Sequence, residues 1–151
     1  MKQLQALSPL TLTQSQLELF QKLYEEMILY NEHTNLTSIT KETDVIVKHF
    51  IDSYWVFKEH PFPKHATILD VGTGPGYPGL PLKIIEPTLK LTLLDSNLKK
   101  IQYLKHVSEQ LELTHTTFAY ERAEDHAKKN LNHYDIIVSR ATANMSTLLE
   151  L

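Results

Sequence analysis

Apolar residues in the first 60 positions recur at helical spacing. Thr13 and Gln16 form a pair typical of a capping box, and a helix is predicted over 14–31 with the apolar set Leu17, Phe20, Tyr24, Met27 and Ile28. A polar, turn-like run follows over 31–37. A second amphipathic helix is predicted over 42–58, with the apolar set Val45, Phe50, Ile51, Tyr54 and Trp55. Residues 1–60 are therefore predicted to form an N-terminal helical cap.

From residue 61 onward, strand-like and helical patterns alternate. Short apolar runs predict strands over 66–71, 90–95, 115–120 and 134–139, and helical spacing predicts helices over 79–86, 97–112 and 123–130. A further helix is expected to begin within 141–151. This alternation predicts an α/β fold, a Rossmann-like parallel sheet with helices on both sides, spanning 61–151. We expect one side of the fourth strand to be an open edge.

All four glycines of the chain fall between positions 72 and 79, directly after the first predicted strand. Glycine adopts positive φ and permits close backbone approach, so this run can form a loop that other residues cannot. A strand, a glycine loop and a helix start in this order are typical of a ligand site. The alternative is a tight turn with a structural role only.

Two acids decide which ligand the loop suits. Gly74 to Gly79 spells G-x-G-x-x-G, which alone is a weak dinucleotide signal. Asp70 lies two residues before Gly72, where it would repel a pyrophosphate and attract an ammonium group. Asp95 ends the second predicted strand, at the distance where a carboxylate accepts ribose hydroxyls. Together the two acids resemble the S-adenosylmethionine-binding half of class I methyltransferases more than a nicotinamide domain.

Composition restricts the protein class without deciding the function. The chain has 151 residues, 42% of them apolar, a net charge of −3 and no cysteine. The length predicts one domain, or one small domain with an appendage, and the absence of disulfides fits a cytoplasmic protein. No signal peptide or membrane-spanning run is evident. The eight histidines form no ligand-like cluster, so no metal site is expected.

Several runs, taken in order, look like the glucose-inhibited division protein B family, the bacterial small-subunit ribosomal RNA methyltransferase G. They are Asn35–Ser38, Lys48–Ser53, Leu69–Leu82, Leu94–Ser96 and Ile137–Ala141. The similarity extends from about residue 13 to the end of the chain. The run Asp-Val-Gly-Thr-Gly-Pro-Gly-x-Pro-Gly is its most specific part.

The resemblance implies a class I methyltransferase fold preceded by helices, with S-adenosyl-L-methionine as the cofactor. It implies methyl transfer to N7 of a guanine in 16S ribosomal RNA, with the RNA or the small ribosomal subunit as partner. Family members continue beyond the end of this chain, so we expect the C-terminal strands of the sheet to be missing. We also expect a monomer.

The family's cofactor contacts fall at Gly72, Tyr77, Ala123, Glu124 and Arg140. Position 77 is commonly leucine in the family, so Tyr77 keeps apolar bulk but could reshape the pocket. We add Asp70 and the loop backbone at Gly74 and Gly76 for the methionine part, and Asp95 for the ribose. Ala123 and Glu124 would border the adenine.

Alternatives stay open for several of these residues. Asp95 or its neighbour Ser96 could instead cap the following helix, and Glu124 could simply favour a helix N-terminus. Arg140 ends an apolar strand, where an unpaired charge is costly. Its partner is predicted to be the cofactor or an RNA phosphate, with a structural ion pair as the alternative.

Substrate contacts are assigned with fewer constraints. Asn35, His49, Ser53 and Arg140 are candidates for approaching the guanine or its flanking nucleotides, with loop hydrogen bonds or capping as the alternative for the first three. N7 of guanine carries a lone pair, so no catalytic side chain is assigned.

Rival functions remain. The chain could methylate another substrate, or it could be a truncated, non-catalytic fragment that binds the cofactor. An NAD-dependent dehydrogenase is a weaker rival, because no motif supplies its catalytic residues.

Overall fold

The computed structural model describes residues 1–140, and its centre is a sheet of four parallel strands. The strands are β1 (Thr67–Val71), β2 (Lys90–Asp95), β3 (Thr116–Tyr120) and β4 (Ile136–Ser139). Their order is β3-β2-β1-β4, with all three pairings parallel. The chain therefore reverses its direction of travel across the sheet at β1, so the loop after β1 lies at the switch point where such sheets bind ligands. β4 is an edge of the sheet built by residues 1–140, as expected.

Helices precede the sheet and connect its strands. They are α1 (Lys2–Leu7), α2 (Gln14–Thr34), α3 (Glu42–Val45), α4 (Asp52–Tyr54), α5 (Gly79–Ile85), α6 (Leu98–Gln110) and α7 (Ala123–Lys129). A π-helical turn, Ile46–Ile51, joins α3 to α4, and a 3-10 turn, Trp55–Lys58, follows α4. These four pieces form one continuous helical segment, called here the 42–58 helix. The predicted helix that would begin within 141–151 lies outside the described residues.

The capping box at the start of α2 is confirmed. The Gln16 backbone N–H donates to Thr13 Oγ1 at 3.2 Å, and the Gln16 side chain accepts from the Thr13 N–H at 2.9 Å. The predicted end at residue 31 is wrong, because the helix continues to Thr34 before Asn35 takes a left-handed conformation. Polar residues in the last turn made this part look like a loop.

Two further expectations need correction. Sequence periodicity gave no sign of α1, a short helix whose only buried residue is Leu4. Trp55, assigned to the apolar face of the 42–58 helix, is 50% exposed. The π-helical turn at Ile46–Ile51 adds a residue to one turn and so rotates the later positions relative to a regular 3.6-residue period.

Alternation along the strands places different side chains on the two faces of the sheet. Ile68, Leu91 and Leu93 belong to a large core cluster that also contains the buried side chains of α2, the 42–58 helix, α5 and α6. Leu69, Val71 and Leu94 form a smaller cluster on the other face, with Ala119, Ala123 and Tyr134 packed against it. The expected helices on both sides of the sheet are thus present, and no helix among residues 1–140 is long and apolar enough to span a membrane.

Candidate ligand site at the carboxyl edge of the sheet

The glycine loop requires the residues found there. Gly72, Gly74 and Gly76 have φ values of 64°, 59° and 96°, a region that disfavours side chains with a Cβ. The Thr73 N–H donates to the Leu94 carbonyl at 3.0 Å, which pins the loop across the end of β2. The Gly76 and Tyr77 N–H groups both donate back to the Thr73 carbonyl at 3.0 Å.

Asp70 organises the loop from beneath. Its carboxylate is fully buried, and Oδ2 accepts from the Gly79 N–H and the Thr73 hydroxyl, each at 2.7 Å. Burial raises the pKa of Asp70 to about 7, although these two donors and the Arg140 charge oppose the rise. Oδ1 is buried and has no hydrogen-bond partner among residues 1–140. Asp70 therefore ties β1 to the start of α5 and keeps one oxygen with unused acceptor capacity.

Close packing at Gly79 explains why this position is also glycine. A Cβ there would lie 2.7 Å from Asp70 Oδ2 and 2.6 Å from Leu93 Cδ2. The first helical turn of α5 can therefore approach the carboxylate only without a side chain.

Asp95 supports the loop from the neighbouring strand. Its Oδ2 accepts from the Gly74 N–H at 2.9 Å, and its Oδ1 accepts from the Asn97 N–H at 2.8 Å. The N-cap of α6 is neither Asp95 nor Ser96 but Asn97, whose side chain accepts from the Lys99 and Lys100 N–H groups. Each carboxylate oxygen has a further lone pair, so Asp95 retains capacity for another donor.

Tyr77 closes the loop against the helical cap. Its ring is 2% exposed and stacks on His49, with ring centroids 4.4 Å apart and planes 13° from parallel. Its hydroxyl donates to Met27 Sδ at 3.3 Å. Burial raises the pKa of Tyr77, so it stays a neutral phenol.

Arg140 lies over the other side of this arrangement. Its Cζ is 5.6 Å from the Tyr77 ring centroid, and its Nη2 donates to His49 Nδ1 at 2.7 Å. Its Nη1 donates to the Lys48 carbonyl at 2.5 Å and to Asp52 Oδ2 at 3.3 Å. The structural ion pair left open from the sequence is thus present, between Arg140 and Asp52. The Asp52 side chain is 60% exposed, so solvent screens this pair.

His49 connects these groups. Because Nδ1 accepts from Arg140, the neutral ring carries its proton on Nε2, which donates to Thr37 Oγ1 at 3.3 Å. Burial, together with the adjacent Arg140 charge, lowers the pKa of His49 to about 4. His49 is therefore a neutral acceptor at physiological pH.

The remaining predicted substrate residues have internal partners. Asn35 is the left-handed C-cap of α2, with φ 49°. The Ser53 hydroxyl is buried and donates to the His49 carbonyl within the same helix. Both observations match the alternatives of capping and local hydrogen bonding, so a substrate contact at Asn35 or Ser53 stays a prediction.

Ala123 and Glu124 begin α7 beside the carboxyl end of β3. Ala123 packs on the smaller core cluster, while Glu124 is exposed in the first turn, where an acid interacts favourably with the helix dipole. A network missed in the sequence supports this turn: His126 Nδ1 bonds Glu121 at 2.8 Å and Nε2 bonds the Tyr134 hydroxyl at 2.7 Å. No motif links these three positions, so only the fold could reveal them.

The structure thus brings Asp70, the glycine loop and Asp95 together on one side of the switch point, and Tyr77, His49 and Arg140 on the other. Among residues 1–140, no group of three or more histidines and carboxylates is placed to hold a metal ion.

Comparison with known proteins adds three findings. Residues 16–151 match the family described as GidB, rRNA small subunit methyltransferase G. Curated proteins from Bacillus thuringiensis (strain Al Hakam) and Bacillus cereus (strain B4264), both named ribosomal RNA small subunit methyltransferase G, are each 43% identical to it over 144 residues. These alignments cover 94% of this chain but 60% of each relative, so the chain spans about three-fifths of the length of the curated relatives.

Solved structures of methyltransferases share the fold. A Methanococcus maripaludis protein assigned as an S-adenosyl-L-methionine-dependent methyltransferase matches with a TM-score of 0.56 at 17% identity, over 84% of this chain and 55% of that one. Coclaurine N-methyltransferase, solved with N-methylheliamine and SAH, matches with a TM-score of 0.54 at 14% identity, over 76% of this chain and 34% of that one. The predicted class I methyltransferase fold is confirmed for the part described.

Proposed function

The chain belongs to the rRNA small subunit methyltransferase G family, and from this premise we propose that it transfers a methyl group from S-adenosyl-L-methionine to N7 of a guanine in 16S ribosomal RNA. The observation that carries the proposal is the loop geometry. Two acids, Asp70 and Asp95, hold a positive-φ glycine loop at the sheet's switch point through the N–H groups of Gly79 and Gly74. Such loops bring backbone close to a ligand.

The residues present fit S-adenosyl-L-methionine. Asp70 Oδ1 is a buried carboxylate oxygen that no group in the described part of the chain contacts by a hydrogen bond, which suits a ligand ammonium better than a phosphate. Apart from its chain neighbours, the nearest atom of residues 1–140 to a Cβ on Gly74 would be the Gly72 carbonyl oxygen at 4.0 Å, so the space beside this residue is open within the described structure. Asp95 has lone pairs left for ribose hydroxyls. We assign the methionine part to Asp70 and the loop backbone at Gly72, Gly74 and Gly76.

The rest of the cofactor site extends along the carboxyl edge. We assign the adenine border to Ala123 and Glu124, and place Tyr77 and Arg140 on the side that faces the helical cap. When bound, the cofactor would supply a methyl group activated on a sulfonium. The chain's residues would orient it and exclude water, and none has to remove a proton because guanine N7 already has a lone pair.

The RNA side of the proposal rests on the family and on local charge. The net charge of −3 gives no global attraction to nucleic acid, so phosphate contacts must come from local groups. The candidates for contacting the guanine and its flanking nucleotides remain Arg140, Asn35, His49 and Ser53, which lie on or near the cap side of the site. We propose a monomer that acts in the cytoplasm on the RNA or the small ribosomal subunit.

Methyl transfer to small ribosomal subunits that lack the modification tests this function directly. We expect radiolabelled methyl incorporation from S-adenosyl-L-methionine, located at a guanine N7 by aniline-induced strand cleavage after borohydride reduction, which acts selectively at N7-methylguanosine. Cofactor binding without incorporation would favour the rival fragment that binds but does not catalyse. Incorporation only into protein or small molecules would favour another methyltransferase.

A variant pair tests the site assignment. We expect Asp95→Ala to weaken S-adenosylhomocysteine binding in calorimetry by about tenfold or more, because both the loop support and the ribose acceptor are lost. Glu109→Gln removes one negative charge near the far end of α6, at an exposed position, and should leave binding unchanged. Equal affinities for the Asp95→Ala variant and the unsubstituted chain would contradict the assignment.

A further inference from the structure

Arg140 is held by the helical cap rather than by the sheet that carries it. Its backbone directly follows β4, but its guanidinium donates to three acceptors of the 42–58 helix: the Lys48 carbonyl, Asp52 and His49. Its side chain is 29% exposed, so a free guanidinium there would have many rotamers. Three acceptors on one helix fix a single direction for it.

Of these acceptors, His49 is the one built into the core. It is 5% exposed, whereas the Asp52 side chain is 60% exposed and contributes little through an ion pair screened by solvent. The His49 ring is itself fixed on three sides, by Thr37 at Nε2, by the Tyr77 ring in stacking contact, and by Arg140 at Nδ1. A ring held in this way offers its acceptor lone pair in one orientation only.

The local helix geometry makes this placement possible. His49 lies in the π-helical turn Ile46–Ile51, and such turns occur frequently at functional sites because they redirect a side chain without ending the helix. The Lys48 carbonyl, which accepts from Arg140, lies in the same turn. The π-helical turn therefore contains two of the groups that accept from Arg140, the His49 ring and the Lys48 carbonyl.

We propose that His49 is a positioning residue of the cofactor site. It holds the Arg140 guanidinium by a hydrogen bond and the Tyr77 ring by stacking, both at the edge of the proposed site. This role is distinct from the substrate contact proposed for His49 above, and it rests on the proposed function in that Arg140 and Tyr77 border the cofactor. The clamp, defined as His49, Tyr77 and Arg140, joins the helical cap to the glycine loop and to the end of β4. Cofactor affinity therefore depends on a side chain of the cap.

Binding measurements with S-adenosylhomocysteine test the clamp in the full chain. His49→Phe keeps a ring on Tyr77 but removes the acceptor, and we expect about tenfold weaker binding. His49→Asn returns an acceptor near the Nδ1 position and should recover part of that loss. His60→Phe makes the same change at an exposed position and should bind like the unsubstituted chain. Unchanged affinity in His49→Phe would overturn the proposal.

A double variant distinguishes a positioning role of His49 from an independent contact between His49 and the cofactor. If His49 acts through Arg140, the double variant His49→Phe with Arg140→Ala binds no more weakly than Arg140→Ala alone. Additive losses would show that His49 acts on its own and would overturn the proposal. Unfolding midpoints measured beside each titration identify a variant whose loss comes from unfolding.

Nuclear magnetic resonance of the His49 ring tests the clamp without any ligand, so the test holds even if the chain fails to bind the cofactor. Imidazole nitrogen shifts should show His49 neutral, with its proton on Nε2, at pH 7. The charged groups facing its ring are Arg140 from the end of β4 and Lys48 and Asp52 from its own helix, with neutral Tyr77 from the loop. Arg140→Ala should raise the His49 pKa. A protonated Nδ1 at pH 7, or an unchanged pKa, would overturn the clamp, whereas absent binding by the unsubstituted chain would count against the proposed function instead.

Discussion

At the residue scale, single atoms set the properties of the site. Gly74 and Gly76 both have a positive φ but differ in the space around them. A Cβ built on Gly74 would point into open space, whereas a Cβ built on Gly76 would lie 2.3 Å from Leu80 Cδ1. Asp70 and His49 are both buried, and burial favours the neutral form of each. The loop motif therefore combines positions that need glycine for backbone conformation with positions that need it for space.

This difference predicts unequal effects of the same substitution. Gly74→Ala should cost about 1–2 kcal/mol of unfolding free energy, from left-handed backbone strain alone. Gly76→Ala should cost about 1–3 kcal/mol more than that, because the new methyl group also overlaps Leu80. Urea unfolding of both variants measures the difference, and equal losses would contradict the geometry.

The two buried titrating groups predict opposing pH dependences. Asp70 has a pKa raised from 3.8 to about 7, so between these values the folded chain binds the extra proton and the free energy of unfolding falls as pH rises. His49 has a pKa lowered from 6.5 to about 4, so between these values the unfolded chain binds the extra proton and stability rises with pH. Each slope is at most about 1.4 kcal/mol per pH unit.

Single variants should expose each slope. From about pH 4.5 to 6.5, Asp70→Asn should gain stability with pH more steeply than the unsubstituted chain, because only the His49 slope remains. His49→Phe should instead lose stability with rising pH over the same interval. Urea unfolding at several pH values gives all three curves. Parallel curves would show that neither group titrates as its burial implies.

At the element scale, a local signal marks where α2 begins, whereas its end and the change of period in the 42–58 helix are visible only in the structure. The capping box fixes the start of α2 at Gln14, while its end at Thr34 depends on Asn35 adopting a left-handed conformation. The π-helical turn Ile46–Ile51 breaks the period of the 42–58 helix and leaves Trp55 exposed. Its His49 pairs with Arg140, which is distant in sequence.

The capping box gives a quantitative prediction. Thr13→Ala removes the acceptor for the Gln16 N–H and should cost about 1 kcal/mol of unfolding free energy. Ser15→Ala, an exposed change inside the first turn, should cost nothing, because alanine is the better helix former. Urea unfolding compares the two, and a Thr13→Ala protein as stable as Ser15→Ala would show that the cap contributes nothing.

At the scale of the whole molecule, the helical cap and the sheet share one core. Tyr30 and Tyr103 pack with centroids 5.1 Å apart, and His106 of α6 bonds Glu26 of α2 at 2.8 Å. Gln16 Nε2 donates to the Ile85 carbonyl at the end of α5, at 3.2 Å. The division of the chain at residue 60 describes the order of elements and stays a prediction as a domain boundary.

This shared core predicts that the sheet part does not fold alone. A fragment of residues 61–151 would expose the apolar surface of α5 and α6 that α2 and the 42–58 helix cover. We expect weak near-ultraviolet circular dichroism and no cooperative urea transition. A cooperative transition in this fragment would instead establish residue 60 as a true domain boundary.

The sequence by itself determined the α/β class, the strand positions within about two residues, the glycine loop and its two acids. These features are local: period, turn residues and capping pairs act over a few positions. Only the tertiary structure decided that Asp70 lies beneath the loop and that His49 holds Arg140. The same is true of the link from His126 to Glu121 and Tyr134, because burial and the meeting of distant segments depend on how the elements pack.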